Sequence, residues 1–563
     1  MRRDSIRGAV VGALLGLVHG LADLLSAVAT IGWLYDSGWP GIVLVGFAIA
    51  TGVGIGCLLG TLLGGFLVSR TPRWVAITVF LLVPTIVFPL GVVARQSRNH
   101  ELAPSPKSAS ASGSVPVPFL FVVVDTLRAD TLFGEEFAFT TAPETGRWAS
   151  EALIFEDAES TAGWTIPSMA SMLTGVHNST FDASSGRLPV SAKTLAEHFR
   201  ERGYETRAIV DNVILEPRNG FAQGFESFEQ RSAFRFAFTF PTFRIWPIGV
   251  HEWLRGSLYS AYDGSQDVTD RAIARVEGAG DAPLFLYVHY MDPHAPYYLH
   301  SELADVEGEP MNYYRFRDYL RQGIDKKPNA NQLKWLRGSY EKEVLYWDAD
   351  FRRLVDAWKE RYGEEALIVL VSDHGEEFLD HGRLGHGMTV HREMVHVPLI
   401  LDMPSSLGCR NSGRVSEMVT LLDLAPTLVE LASGRTMGPS EDGPRVQGTS
   451  WKPWLCDGGQ APETPSFALH ARHGRKVYRF RRGDQTAIQV RYFDEPERVE
   501  MLWFALDVDP LEQVALSTDD ERGRSLFREL SAAARAFESA SESLDDENST
   551  AVEESLRALG YIQ

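Results

Sequence analysis

FLFVVVDTLRAD, residues 119–130, is the stretch that decides the fold: six consecutive apolar residues, three of them valine, run without a break into Asp125. An unbroken apolar run of that length suits a strand buried on both faces, and such strands belong to parallel sheets covered by helices. Three more runs read the same way, Thr206–Val210, Leu284–Tyr290 and Ala366–Val371. Amphipathic stretches at Ser191–Arg202, Tyr340–Tyr362 and Leu421–Ala432 supply helices between and after them. The expectation is therefore an α/β fold, a mostly parallel sheet with helices on both faces. Past residue 435, RKVYRFRRG (475–483) and TAIQVRYF (486–493) predict a smaller antiparallel sheet in a C-terminal α+β subdomain. FRFAFTF (234–240) reads as a strand with one aromatic face, and residues 538–554 form an acidic, Ser-rich tail.

In an open sheet of this kind ligands bind beyond the carboxyl ends of the strands, where loops converge. That rule selects residues. The first strand runs into Asp125, the 366–371 run ends in Ser372, Asp373 and His374, and the 284–290 run ends in Met291, Asp292, Pro293 and His294. A lone Asp after a strand is commonly a cap or half of an ion pair. Three such ends together offer aspartate oxygens and imidazole nitrogens, the donors of a divalent cation such as Zn, Mn, Ca or Mg. In GWTIPSMASMLTG (163–175), Pro167 and the small residues Ala170, Ser171 and Gly175 place Thr165 at or just before a helix amino terminus. Such a terminus attracts an anion. A hydroxyl there can be a plain N-cap, and beside a metal it becomes a nucleophile.

The chain has 563 residues, with 54 Lys and Arg against 74 Asp and Glu, a net charge of −20 that excludes nucleic acid as a partner. Residues 1–98 depart from this balance, holding seven Arg, three Asp and no Lys or Glu. They contain three apolar runs, at about 8–34, 41–68 and 74–94, each long enough to cross a bilayer. Arg2, Arg3 and Arg7 precede the first, Arg70 and Arg73 separate the second and third, and the first loop carries only Asp36. By the positive-inside rule the amino terminus is cytoplasmic, and the chain after residue 98 lies outside a cell (inner) membrane that it spans several times. Gly52, Gly56, Gly60 and Gly64 recur on one face of the second span and allow close helix approach. His19 and Asp23 read either as polar contacts between helices or as functional groups. Residues 96–118, rich in Ser, Ala and Pro, read as a linker. The chain thus divides into a transmembrane region (1–95), the linker, a catalytic domain (119–435) and the C-terminal subdomain with its tail (436–563). With three cysteines a disulfide scaffold is excluded; Cys409 and Cys456 are either a pair in an exported domain or two core thiols.

VVVDTLRAD (122–130), GWTIPSMASMLTG (163–175), FLYVHYMDPHAPY (285–297), SDHGEEFLDHGRLGHG (372–387), FALDVDPLEQVAL (504–516) and LRALGYI (556–562) together resemble the sulfatase branch of the alkaline phosphatase superfamily. The resemblance implies a metal-dependent hydrolase or transferase of phosphate or sulfate esters. Carried over by position, Asp125, Asp373 and His374 are metal ligands, Thr165 is ligand and nucleophile, and His294 and His386 contact the transferred group or protonate the leaving oxygen. A second cation would fall to Asp292, His294 and His386. The sequence also departs from the family. Sulfatases carry Cys or Ser within C/S-x-P-x-R, oxidised to formylglycine; here the residues are Thr165 and Met169, and a threonine cannot yield that aldehyde. Thr126 replaces the second Asp of the usual pair. A threonine nucleophile instead resembles relatives that act on phosphodiesters, the phosphoethanolamine transferases and lipoteichoic acid synthases, which usually have five membrane spans. The resulting expectation is a phosphodiester or phospholipid head-group substrate beside a lipid bilayer. The alternatives are sulfate-ester hydrolysis without formylglycine, a silent domain that binds an anionic glycan or lipid, and, on thin support, a transporter.

Overall fold

The apolar runs form the centre of a large sheet in the computed structural model, which describes residues 98–101, 116–180, 187–230, 264–295, 297, 305–311, 327–438, 443–472 and 474–539. Its strands are β1 (Arg98–Glu101), β2 (Phe119–Val124), β3 (Leu153–Glu159), β4 (Glu205–Val210), β5 (Ser227–Gln230), β6 (Leu284–Tyr290) and β7 (Leu367–Val371). A two-stranded ribbon, β8 (Glu377–Phe378) and β9 (Leu384–Gly385), follows; then β10 (His396–Asp402), β11 (Gly413–Val415) and β12 (Val419–Thr420) return to the large sheet. Its order is β1-β5-β4-β6-β2-β7-β10-β3-β11, with β12 also against β3. The pairs β5–β4, β4–β6, β6–β2 and β2–β7 are parallel, whereas β10 runs antiparallel to both β7 and β3.

Alternation along β2 sends its side chains to two different layers. Phe119 and Phe121 join Phe199, Phe225, Phe285 and Tyr287 on one face, with Phe119 and Phe285 rings stacked at 5.1 Å. Leu120, Val122 and Val124 belong to the other cluster, with Trp335, Trp347, Phe351 and Trp358 of the long helix Ala330–Tyr362. That helix starts ten residues before the stretch the apolar spacing picks out, because Asn329 and Gln332 form a capping box. Of the strands that escape the apolar-run reading, two show why. In β10 the chain places Pro398 at the bulge between Val397 and Leu399, where a missing N–H breaks no ladder bond. In β3 the sequence is LIFEDAE, and its buried Glu159 is matched by Arg479 (3.0 Å) and Arg481 (2.9 Å).

Those arginines come from β14 of a second sheet, β13 (Ser466–Arg472), β14 (Arg475–Arg482), β15 (Gln485–Tyr492) and β16 (Val499–Ala505), antiparallel throughout. The helix Glu521–Ser539 lays Leu526, Phe527 and Leu530 on its apolar face against Phe467, Tyr478 and Trp503. Cys409 and Cys456 are joined by a disulfide. Among the described residues no helix is long and apolar enough to cross a membrane. The three apolar runs before residue 95, linker residues 102–115, the FRFAFTF stretch and the tail beyond residue 539 lie outside the described residues.

The second sheet is tied to the loop at residues 175–179 through His177, whose Nε2 donates to Phe467 O at 3.1 Å while its Nδ1 accepts from Ser179 Oγ at 2.7 Å. Burial lowers this imidazole from 6.5 to about 3, so it is neutral in the fold. The unfolded chain takes up a proton near pH 6.5 that the folded one refuses, and stability is lost as pH falls from 6.5 toward 3. His177→Gln removes one proton from that difference. Denaturation followed between pH 6.5 and 4 should show a slope shallower than wild type by about 1.4 kcal/mol per pH unit.

Candidate active site

The register of the sheet gathers the site. Val123 faces Val371 across β2 and β7, and Val124 faces Tyr290 across β2 and β6, so Asp125, Asp373 and the Met291–Asp292 turn leave the sheet at one level. The two carboxylates are fully buried. Asp125 Oδ2 accepts from Asn212 Nδ2 (2.6 Å), His289 Nε2 (3.1 Å) and Thr165 Oγ1 (3.4 Å). Its Oδ1 has no hydrogen-bond partner. Asp373 behaves likewise: Oδ1 accepts the backbone N–H groups of His374 (2.9 Å) and Thr126 (3.3 Å), while Oδ2 is unsatisfied. His374 Nε2 lies 3.6 Å from Asp125 Oδ1 and 3.4 Å from Asp373 Oδ2, facing the two unsatisfied oxygens. Two unsatisfied buried carboxylate oxygens and an imidazole nitrogen are a donor set for a divalent cation, which removes the cost of burying both charges. Among the described residues this is the one group of three or more such side chains whose ligand atoms all lie within 4.8 Å of one another.

The electrostatics follow from that crowding. Burial raises Asp373 well above the usual carboxylate range, and the neighbouring Asp125 charge adds to it. For Asp125 burial also acts upward, but the His289 hydrogen bond and the surrounding imidazoles of His294 and His374 outweigh it and hold this group ionised. Burial, with His386 behind it, lowers His374 to about 3. Its Nδ1 donates to Gly375 O at 2.9 Å, which leaves the Nε2 lone pair facing the site.

Thr165 is the first residue of the helix Thr165–Thr174, and the N-cap is Trp164, so the hydroxyl caps nothing. It lies 3.3 Å from His374 Nε2 and 3.4 Å from Asp125 Oδ2, at an end where first-turn N–H groups have no intrahelical acceptor. One turn in, Ser168 Oγ donates to Asp373 O at 2.6 Å, locking this helix to the β7 turn. Opposite, Ser372 Oγ accepts from Leu127 N at 3.0 Å and donates to His374 O at 2.7 Å, locking the β2 and β7 turns together. Thr126 holds a left-handed backbone (φ 60°), a strained state for a β-branched residue. Its N–H is spent on Asp373 and its C=O accepts from Tyr340 Oη at 2.9 Å, which fixes the peptide next to Asp125.

His386 and His294 stand beside this group. The His386 ring centre is 4.9 Å from that of His374 and 4.7 Å from that of His294. Glu376 Oε1 accepts from His386 Nδ1 at 2.9 Å; burial works to lower this imidazole, but the Glu376 charge prevails and raises it. His294 Nδ1 donates to Ala295 O at 2.6 Å. Asp292 is placed differently from the sequence expectation. Its Oδ1 accepts from Ser265 N (2.9 Å) at the start of the helix Gly264–Glu277, and Asp292, His294 and His386 do not form a three-donor group.

Sequence reasoning missed the groups behind Asp125. His289 sits within β6, its Nδ1 accepting from Tyr287 Oη at 2.7 Å, and Asn212 stands two residues beyond β4. The same rim rule covers Asn212, and a histidine inside an apolar strand is itself a signal of a buried polar contact. Glu376 and Arg472 were missed as well. The Arg472 guanidinium lies 4.1 Å above the Trp164 ring.

Known proteins share this sequence pattern and architecture. The sulfatase family model matches residues 118–434. A multifunctional alkaline phosphatase superfamily protein, PehA of Trinickia caryophylli, is 26% identical over 409 residues, 60% of this chain and 77% of its own length. An arylsulfatase of Clostridium perfringens is 24% identical over 363 residues, 56% of this chain and 74% of its own. The solved phosphonate monoester hydrolase of Silicibacter pomeroyi overlays with a TM-score of 0.56 at 19% identity, covering 75% of this chain and 95% of its own.

Gly375 tests how tightly the His374 turn is packed. A Cβ there would meet Glu393 O at 1.9 Å, a backbone atom that cannot swing aside. Gly375→Ala should lose about 2–3 kcal/mol of stability in chemical denaturation and bind less divalent metal per chain. Gly438→Ala, whose Cβ would meet nothing within 4 Å, is the control and should match wild type in both measurements.

Proposed function

The chain belongs to the sulfatase family, and from that premise we propose that it is a metal-dependent phosphodiesterase or phosphoryl transferase with Thr165 as its nucleophile. One observation carries this reading: the Thr165 hydroxyl stands at a helix amino terminus, within 3.4 Å of both Asp125 Oδ2 and His374 Nε2, beside two carboxylate oxygens that nothing satisfies. Asp125, Asp373 and His374 would hold the cation, which when bound supplies Lewis-acid charge to an ester oxygen and to the hydroxyl.

The chain's own residues do the rest. With His374 Nε2 turned to a cation, Asp125 Oδ2 remains as the acceptor for the Thr165 proton. Asn212 and His289 already fix that oxygen in place. Thr165 Oγ1 then attacks in line: a bond forms between Oγ1 and phosphorus, and the bond from phosphorus to the leaving oxygen breaks. The first-turn N–H groups face the charge that builds on the non-bridging oxygens. His386, its basicity raised by Glu376, donates its Nε2 proton to the leaving oxygen, with His294 alongside. Water or an acceptor hydroxyl, its proton taken by the now neutral His386, then attacks phosphorus; the bond from phosphorus to Oγ1 breaks, and Asp125 returns the proton to Thr165. The same steps serve a sulfate ester, and the arylsulfatase relative favours keeping that as the second reading. No aldehyde is involved, because a threonine side chain cannot become formylglycine.

We place the site outside the cell, held at the membrane by the three apolar runs before residue 95, with a phospholipid head group as the substrate within reach. The Cys409–Cys456 disulfide supports this, since such bonds persist in oxidising compartments. Thr165→Ala should cut turnover of an aryl phosphodiester by at least about 10⁴-fold while metal content stays at the wild-type value. Substantial residual turnover would remove Thr165 from the nucleophile's role. Paired rates on aryl phosphodiester and aryl sulfate decide between the two readings.

A further inference from the structure

FALDVDPLEQVAL (504–516) belongs to the sequence pattern shared with the family, yet the reaction above gives it no role. Its turn is exposed at Leu511 and Val514, whereas Glu512 between them is only 1% exposed. The Asp509 carboxylate shapes the turn, accepting from Gln513 N at 3.0 Å and from Val514 N at 2.8 Å. Glu512 itself takes a left-handed backbone (φ 56°), which an L-residue with a long side chain does not favour unless its contacts hold it there.

Those contacts all point inward. Glu512 Oε1 accepts from Arg479 of β14, and Oε2 accepts from His391 Nδ1 at 3.1 Å and from Arg392 N at 3.2 Å. Burial acts to raise this carboxyl, but Arg479 and the His391 hydrogen bond outweigh it and hold it at about 2, so the residue is an anion. The Glu512 C=O accepts from His381 Nε2 at 2.8 Å, while His381 Nδ1 donates to Glu393 Oε1, also at 2.8 Å. The His381 and His391 rings stack 3.7 Å apart and only 5° from parallel. His381 lies in the turn of the β8–β9 ribbon, where Glu377 Oε1 accepts from His381 N (3.1 Å) and Arg383 N (2.8 Å). From there the chain runs along β9, passes His386 and returns to His391. One residue thus fastens both flanks of the loop that carries His386: its C=O holds His381, its carboxylate holds His391, and the stacked rings close the loop between them.

We propose that Glu512 is a positioning residue for proton transfer: by clasping the 381–391 loop at both ends it fixes His386 within reach of the leaving oxygen. The inference rests on the role given to His386 above and adds that this role is set from the turn at 509–514, which is itself anchored on the second sheet through Arg479.

Two phosphodiesters that differ only in the leaving group, para-nitrophenyl and phenyl, isolate proton transfer, because nitrophenolate leaves without a proton and phenolate gains from one. Glu512→Gln should lower kcat/KM on the phenyl ester by about 30-fold and on the nitrophenyl ester by less than about 3-fold. A purely structural residue would lower both alike, and that result, or no loss on either ester, overturns the proposal. In a His386→Gln background the added Glu512→Gln change should cost less than about 2-fold on the phenyl ester, since the group it acts through is gone; a full second loss there contradicts the assignment. The His386 Nδ1 proton, seen by NMR in the full chain with labelled histidine and identified by its absence in His386→Gln, supplies a readout apart from activity. It should shift or broaden in Glu512→Gln, and an unchanged resonance counts against the proposal. If wild type cleaves neither ester, or His386→Gln affects both esters equally, the reading above fails by itself, while the resonance still judges Glu512. Should Glu512→Gln not fold, His381→Gln replaces it, opening one flank of the clasp while the Arg479 pair stays intact. A loss of at least about 10-fold on the phenyl ester with less than about 3-fold on the nitrophenyl ester is then expected, and parallel losses would refute the assignment.

Discussion

Two carboxylates share one buried rim of the sheet, and each leaves an oxygen without a partner. Asp125 Oδ1 and Asp373 Oδ2 both face His374 Nε2, in a place from which water is excluded. Unsatisfied buried charge is among the most costly arrangements a fold can contain, and it persists only where something else returns the energy. A divalent cation held by Asp125, Asp373 and His374 would do so here. The surrounding design makes sense in that light. Asn212, His289 and two backbone amides occupy the outward oxygens, so that the inward pair is left for the ion.

The sheet explains why these groups meet. Parallel neighbours in register deliver their carboxyl ends to one level, and short turns after β2, β6 and β7 carry the polar residues. Two serines then remove the remaining freedom, Ser372 bridging the β2 and β7 turns and Ser168 pinning the Thr165 helix to Asp373. The strained Thr126 peptide belongs to the same arrangement, since its left-handed turn is what aims its N–H at Asp373. The second sheet closes the opposite side through the Glu159 pairs with Arg479 and Arg481, bringing Arg472 against Trp164.

Much of this was legible in the residues themselves. The runs that became β2 and β6 match the strands end to end, and β7 differs by one residue, because strands buried on both faces carry an uninterrupted apolar signal. Asp125, Asp373 and Thr165 followed from the rule about strand ends and from the Pro167 helix start. What stayed hidden depends on contacts between distant parts of the chain. Glu159 makes β3 look like surface until its arginines, about 320 residues later, are seen beside it. Pro398 disguises β10 because a bulge is invisible in composition. His289 and Asn212 lie 164 and 87 residues from the carboxylate they hold, and no local pattern links them. Asp292 misled for the opposite reason: a polar residue after a strand can as well serve a neighbouring helix start, as it does at Ser265.

The account stands on the cation that this geometry calls for. Crystals grown with manganese and measured at a wavelength where manganese scatters anomalously would locate it directly. One strong anomalous peak within coordination distance of Asp125 Oδ1, Asp373 Oδ2 and His374 Nε2 is the predicted result. Density that leaves the two carboxylates joined by a shared proton, with the manganese elsewhere or absent, would contradict the account.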